Sequence, residues 1–220
     1  MNKSGLFAML GCLVLGGCTT TTVNEFRQSP ITLADKESVV ILGRRHSGQH
    51  ETEPAVINCI AKELLSVERD VQIIGEIEFL NRLYPWFEPR TAPLNPERLR
   101  LMMENPKIAA EIKAMNLHYM VWVEGSTQRG ESAGGMSCSI GPTGAGCFGF
   151  GTWEDDATYE IAIWDVANFN SVAWLSVSAS GTSYMPAFII PIPLIARVKS
   201  GVCESIADQI ILMFTENIAG

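Results

Sequence analysis

The chain has 220 residues, of which 47% are hydrophobic, and its formal net charge at pH 7 is −8. The hydrophobic fraction is ordinary for a folded globular protein and excludes global disorder. The acidic balance argues against binding to nucleic acid or docking on anionic lipid headgroups, because both need clustered Lys and Arg.

The amino-terminal segment has the order of a secretory signal: Lys3, a short apolar run, and then Leu15-Gly16-Gly17-Cys18. The run is too short and too rich in glycine for a transmembrane helix, which needs about 20 residues. A cysteine directly after the small residues resembles the bacterial lipobox, in which that thiol is acylated and becomes the mature N-terminus. The alternative is an ordinary cleaved signal, with Cys18 as a bystander.

The lipobox resemblance implies a location. In Gram-negative lipoproteins an Asp after the acylated cysteine favours inner-membrane retention, and Thr19 stands there instead, which implies the outer membrane with the chain facing the periplasm. Residues 1–17 would be the signal peptide, 18–36 a polar, lipid-anchored tether, and 37–220 a single domain with a sizeable core. Loss of Lys3 would change the net charge from −8 to −9.

The first part of that domain predicts alternating strands and helices. Residues 38–42, apolar from Val39 onward, predict a buried strand that ends at Gly43. A helix follows with Pro54 in its first turn, where proline is tolerated. Residues 71–74 predict a second strand, and the prolines of 84–96 predict an irregular connection.

The second part begins with Asn95-Pro96 and Asn105-Pro106, each an N-cap followed by proline at the first helical position. Strands are predicted over 118–123, 158–166 and 172–180, the last two as an antiparallel hairpin. The whole order predicts an α/β (α+β) domain: a mixed sheet of about five strands with helices packed on it in two or three layers, plus a Gly-rich hairpin insertion. The apolar stripe of a last helix consists of Cys203, Ile206, Ile210 and Phe214.

Three segments carry a family resemblance: residues 39–43, the helix-to-strand passage 116–125, and the strand 163–166 that returns as 173–175. Their order resembles the small α/β domain of several envelope proteins. These are the curli-secretion channel lipoprotein, the lipoprotein activators of penicillin-binding proteins, and the amino-terminal domain of the Tol-system propeller protein. The resemblance implies the fold; one fold hosts many functions, so the role is argued from the residues.

Four cysteines remain after the signal and the acylated residue. An even number in an oxidising compartment predicts two disulfides, with three possible connectivities. Local spacing favours Cys138–Cys147 across a glycine-rich hairpin, which leaves Cys59–Cys203 as the long-range bridge. The alternative is free, buried thiols.

Residues 132–153 contain no charge and many glycines. This composition predicts a hairpin stapled by Cys138 and Cys147 that docks on a partner or enters a membrane, since each arm is about 10 residues, the length of a transmembrane β-strand. The alternative is a solvated, flexible hairpin, which the lack of regular apolar alternation favours.

Residues 184–196 are apolar but carry Pro186, Pro191 and Pro193, which argue against a helix or a central strand. They predict an extended loop that either folds back over the core or forms an exposed patch for a protein partner. The candidate partner-binding residues are Phe188, Ile189, Ile190, Ile192 and Leu194.

Evidence for catalysis is weak. His46 and His50 have metal-ligand chemistry, but Gly48 opposes the helix that would align them, so a solvated loop is predicted and no metal or cofactor is expected. The sequence shows neither a G-x-S-x-G motif nor a phosphate-cradling glycine loop.

These observations predict a non-enzymatic outer-membrane lipoprotein that acts as an accessory or scaffold subunit in an envelope assembly, secretion or cell-wall system. Its expected partners are the membrane, through the lipid anchor, and an envelope protein or a second copy. One alternative is a self-assembling, pore-forming secretion subunit. The other is a weak metal-dependent hydrolase that uses His46 and His50.

Overall fold

The computed structural model describes residues 19–34, 36–45, 52–66, 72–142 and 144–215. The strands of this part of the chain are β1 (Thr19–Arg27), β2 (Ser38–Gly43), β3 (Gln72–Ile74), β4 (Leu117–Gly141), β5 (Gly144–Asp165) and β6 (Asn170–Pro191). The helices are α1 (Pro54–Ser66), α2 (Glu76–Arg82), α3 (Pro96–Met102), α4 (Pro106–Ala114) and α5 (Val198–Thr215).

The strands form one mixed sheet in the order β1-β6-β5-β4-β2-β3. β2 is parallel to both neighbours, pairing Val39 with Ile73 of β3 and with Tyr119 of β4. Its apolar residues are all buried because both faces of the sheet are covered at this position. β4, β5 and β6 follow one another as a meander. The predicted α/β fold with a mixed sheet and packed helices is confirmed.

The helices cover opposite faces of the sheet. Val40 and Leu42 of β2 pack with Phe79 of α2, in a core that also includes residues of α3 and α4. Side chains alternate along a strand, so Val39 and Ile41 point to the other face. There Tyr119 packs against Phe214 of α5, with ring centroids 5.6 Å apart.

The chain divides into two compact units. The first, called here the α/β body, comprises the described residues of 21–126, 157–178 and 199–215. The second, called the strand extension, comprises those of 19–20, 127–156 and 179–198. The hairpin predicted over 132–153 is therefore the far part of β4 and β5 within the strand extension.

Local capping defines two helices as predicted. The side-chain oxygen of Asn95 accepts a 2.9 Å hydrogen bond from the Arg98 backbone N–H at the start of α3. Asn105 accepts one of 3.0 Å from Lys107 at the start of α4. In both helices proline occupies the first position, where it has no intrahelical hydrogen bond to lose.

The structure differs from the sequence-based expectation in three segments. Residues 19–27, expected to belong to a tether, form the edge strand β1, whose end is joined to β6 by a 2.8 Å bond from the Gln28 N–H to the Val172 carbonyl. The two-turn helix α2 was not predicted. The loop prediction for 184–196 was wrong over 184–191, which belong to β6.

Among the described residues, the proline-containing part of β6 has only a partial neighbour on one side. Gly181 lies beside Thr19, the first described residue of β1, and no described residue of β1 pairs with β6 beyond this point. Beyond this point the returning chain pairs Leu194 with Tyr184. An edge position leaves one side of the strand without a full ladder, so the missing N–H groups of Pro186 and Pro191 disrupt little.

Candidate partner-binding surface

The strand extension exposes apolar side chains at its β6 end. Four of the five predicted partner-binding residues are exposed, led by Phe188 with 79% of its surface accessible and Ile190 with 69%. Ile189 and Ile192 are exposed too, and only Leu194 is half-buried. The segment therefore presents its apolar side chains to solvent instead of folding them over the core, which was the other expectation for it.

Aromatic residues of β5 join this segment. Phe148 lies 4.8 Å from Phe188 and Phe150 lies 6.1 Å from Tyr184, measured between ring centroids. The hairpin and the apolar segment, which the sequence presented as two separate contact regions, thus form one surface. We call it the apolar surface, and it consists of Phe148, Phe150, Tyr184, Phe188, Ile189, Ile190 and Ile192.

Glycines hold β4 and β5 close together beneath this surface. Gly134 has a φ of +104°, and a Cβ placed on it would lie 2.1 Å from the Phe150 carbonyl oxygen. Gly149 has a φ of +150°, and its Cβ would lie 2.3 Å from the Gly135 carbonyl oxygen. Only glycine permits this backbone conformation and this approach. Glycines at these positions therefore allow the backbones of β4 and β5 to approach each other closely.

A disulfide closes the end of the hairpin. Cys138 of β4 and Cys147 of β5 are bonded, with Cα atoms 4.0 Å apart. In the α/β body Cys59 is bonded to Cys203. The prediction of two disulfides is confirmed, with the pairing that local spacing favoured.

Charged residues of the extension lie outside the hairpin segment that bears the aromatic residues. Arg129 forms an ion pair with Asp155 at 3.4 Å and lies 5.4 Å from the centre of the Trp153 ring. Residues 132–153 contain no charged side chain. Binding at the apolar surface would thus depend on burial of apolar and aromatic area and on backbone hydrogen bonds.

The lipidation site and the candidate metal ligands that the sequence singled out are not part of the apolar surface. Cys18, His46 and His50 fall outside the described residues. Within those residues no three or more His, Cys, Asp or Glu side chains are grouped so that they could hold a metal ion. His118 of β4, the one histidine within the described residues, is paired through Nδ1 with Glu37 at 2.8 Å.

None of the helices in the described ranges is both long enough and apolar enough to cross a membrane.

Sequence reasoning did not assign Tyr184 to the surface or place Phe148 and Phe150 against the β6 segment. A signal was present in Phe148-Gly149-Phe150, since alternate residues of a strand share a face. Positive φ values at Gly149 and Ile189 interrupt regular alternation, so the partners across the strands could not be read from spacing.

No protein-family model matches the chain, and no curated protein matches it. Two solved structures of the PelC dodecamer from Paraburkholderia phytofirmans are similar to this chain. One, of a point variant, has 16% sequence identity and a TM-score of 0.38; the other has 15% identity and a TM-score of 0.39. Each match covers 88% of this chain and 96% of the PelC chain. Likeness at this level carries no argument about function or assembly.

Proposed function

We propose that this protein is a non-enzymatic lipoprotein of the bacterial outer membrane, facing the periplasm, that serves as an accessory or scaffold subunit of an envelope assembly, secretion or cell-wall system. The observation that carries the proposal is the apolar surface of the strand extension. Its exposed side chains come from β5, in a hairpin that a disulfide closes, and from the adjoining end of β6.

A surface of this kind supports protein binding. Soluble monomers rarely expose contiguous apolar patches of more than a few hundred Å² without a function. Aromatic anchors such as Phe148 and Phe188 are enriched at the centres of protein interfaces. The disulfide and the closely packed glycines restrict the hairpin before it binds, which reduces the entropy lost on association.

The lipid anchor is the second part of the proposal and rests on the lipobox at Leu15–Cys18. Two or more acyl chains hold a protein on a membrane far more firmly than one. Cys18→Ala should therefore move the protein into the soluble periplasmic fraction. Retention of the variant in membranes after a carbonate wash would show that the lipobox interpretation is wrong.

The experiment that tests the role is in-cell cross-linking of the acylated protein, with each cross-linked band identified by mass. Ile190→Asp is the test variant, and Ile77→Asp is its matched control because Ile77 of α2 is exposed to the same degree, 70% against 69%. A single heterologous band that Ile190→Asp abolishes and Ile77→Asp preserves supports the accessory role. A band unaffected by Ile190→Asp excludes the apolar surface from that contact.

One observation favours self-assembly as a second candidate. The pairing of β2 with β4 ends at Val123, and no described strand pairs with the outer edge of residues 128–141 of β4. Unpaired edge groups are a template for a strand of another chain. Met136 lies opposite Gly149 in the same register as the close Cys138–Cys147 pair, so its N–H points to the free edge. A cross-linking ladder at whole multiples of the subunit, lost on substitution of Met136 by Pro, would support a self-assembling pore or ring instead of an accessory subunit.

A further inference from the structure

The α/β body contains a groove that the preceding proposal does not use. It encloses about 260 Å³ between the residues before α3 and the strands β4, β5 and β6. The residues that matter to its chemistry are Arg44, Trp122, Glu124, Glu160, Trp164 and Trp174.

Arg44 forms a fixed, positively charged part of the floor. Its guanidinium lies 3.8 Å from the centre of the Trp122 ring and 5.2 Å from that of Trp164, and its Nη1 donates a 2.6 Å hydrogen bond to the Pro93 carbonyl oxygen. Burial lowers the pKa of Arg44 to about 10, while the charge of Glu124 acts in the opposite direction. The guanidinium is therefore protonated at neutral pH and held in place.

The walls of the groove are apolar and accessible. Trp174 of β6 exposes 39% of its surface, and Leu94, on the side of α3, exposes 69%. The Trp122 and Trp164 rings, 5.7 Å apart, are buried behind them. An accessible indole on a rigid strand, facing a groove that also holds carboxylates, is a site for stacking or for a cation–π contact.

The charge of the groove is negative. Gly125 of β4 lies against Tyr159 of β5, which places Glu124 and Glu160 as neighbours across the two antiparallel strands. Neighbouring like charges on adjacent strands are unfavourable. Glu124 balances Arg44, whereas Glu160 is exposed and has no ion pair with any residue in the described part of the chain. Glu160 therefore leaves the groove with a net negative charge.

We propose that this groove binds a basic, apolar peptide segment of a partner protein. A Lys or Arg side chain would lie over the Trp174 indole with its charge near Glu160, and an apolar neighbour would pack against Leu94. Charge complementarity selects this occupant, because a cation relieves the repulsion between the two carboxylates and gains both an ion pair and an aromatic contact.

The test uses the full mature chain in detergent and a synthetic tetrapeptide, acetylated and amidated, of sequence Gly-Leu-Lys-Gly. Binding is followed through the indole N–H resonances, assigned with Trp174→Ala. We expect a saturable shift of the Trp174 signal, weaker binding at higher salt, and about tenfold weaker binding to Glu160→Gln. Glu154→Gln, which removes an exposed carboxylate of β5 outside the groove, should bind as the unaltered chain does.

Three results would overturn the proposal: no saturable binding at millimolar peptide, equal binding of the peptide with acetyl-lysine, or equal losses in Glu154→Gln and Glu160→Gln. Binding of neutral maltotriose at Trp174 in place of the peptide would likewise overturn it and assign the groove to a saccharide. The variants leave the apolar surface intact, so failure here is distinguishable from failure of the accessory-subunit role.

Discussion

Cys59 of α1 and Cys203 of α5 are joined by a disulfide whose Cα atoms lie 6.1 Å apart, although 144 residues separate them in the sequence. The bond connects the first and the last helix of the described chain and closes a covalent loop over residues 59–203, which leaves β1 and β2 outside it. Cys203 is buried and Cys59 half-buried, so the bridge lies within the packed helices.

Removing this bridge should destabilise the α/β body. A loop of 144 residues corresponds to about 5 kcal/mol in the chain-entropy model, against about half of that for the 9-residue separation of Cys138 and Cys147. We expect Cys59→Ala/Cys203→Ala to lower the free energy of unfolding in urea more than Cys138→Ala/Cys147→Ala does. An equal loss in both double variants would contradict the loop-length argument.

Gly134→Ala should destabilise the strand extension by about 2 kcal/mol, because the new Cβ would meet the Phe150 carbonyl oxygen and the backbone has a positive φ. Gly135→Ala is the control, since nothing lies within 4 Å of its Cβ position. Hydrogen exchange of the amides between residues 134 and 150 is the measurement. Faster exchange in Gly134→Ala alone is expected, and equal exchange in both variants would show that the close approach is absent.

Asn95→Ala and Asn105→Ala should each reduce the free energy of unfolding by about 1 kcal/mol, because each removes a side-chain acceptor from a helix N-terminus. Asn81→Ala, at an exposed position within α2, serves as the control and should not destabilise. Urea unfolding followed by circular dichroism measures all three. An equal loss of unfolding free energy in Asn81→Ala would show that replacing any exposed helical Asn by Ala destabilises the protein, independently of capping.

Ile190→Asp should change the free energy of unfolding by no more than about 1 kcal/mol, because the side chain is exposed. Ala187→Asp, three residues earlier on β6, should reduce it by about 3 kcal/mol or more, since it buries a charge. The Tm of each variant in thermal unfolding measures this difference in stability. A large fall of Tm in Ile190→Asp would mean that the apolar surface belongs to the core.

Elements with strong local signals were predictable. Residues 39–42 form an uninterrupted apolar run, and Asn95-Pro96 and Asn105-Pro106 combine a cap with a first-turn proline, so the corresponding strand and helices lie where the pattern placed them. The polar residues of β1 carry no such signal. An edge strand is stabilised by hydrogen bonds to a neighbour distant in sequence, and local composition does not report them.

The candidate surface could be predicted only in part, because it too depends on contacts between residues distant in the sequence. Hydrophobicity was sufficient to single out Phe188, Ile189 and Ile190 as candidates, but their exposure depends on the contacts that β6 makes within the sheet. The groove was missed because Arg44, Trp122 and Trp174 come from three separate parts of the chain. No spacing rule connects residues that only the sheet brings together.

The sequence by itself determined the cysteine content, the capped helices, the buried strand β2 and the apolar residues available for binding, because each depends on neighbours within a few positions. The tertiary structure alone decided which of those apolar residues face solvent, that Phe148 meets Phe188, and that Arg44 lies over Trp122. Contacts of this kind depend on strand order and register. Both are selected by the packing of the whole sheet, which no local pattern specifies.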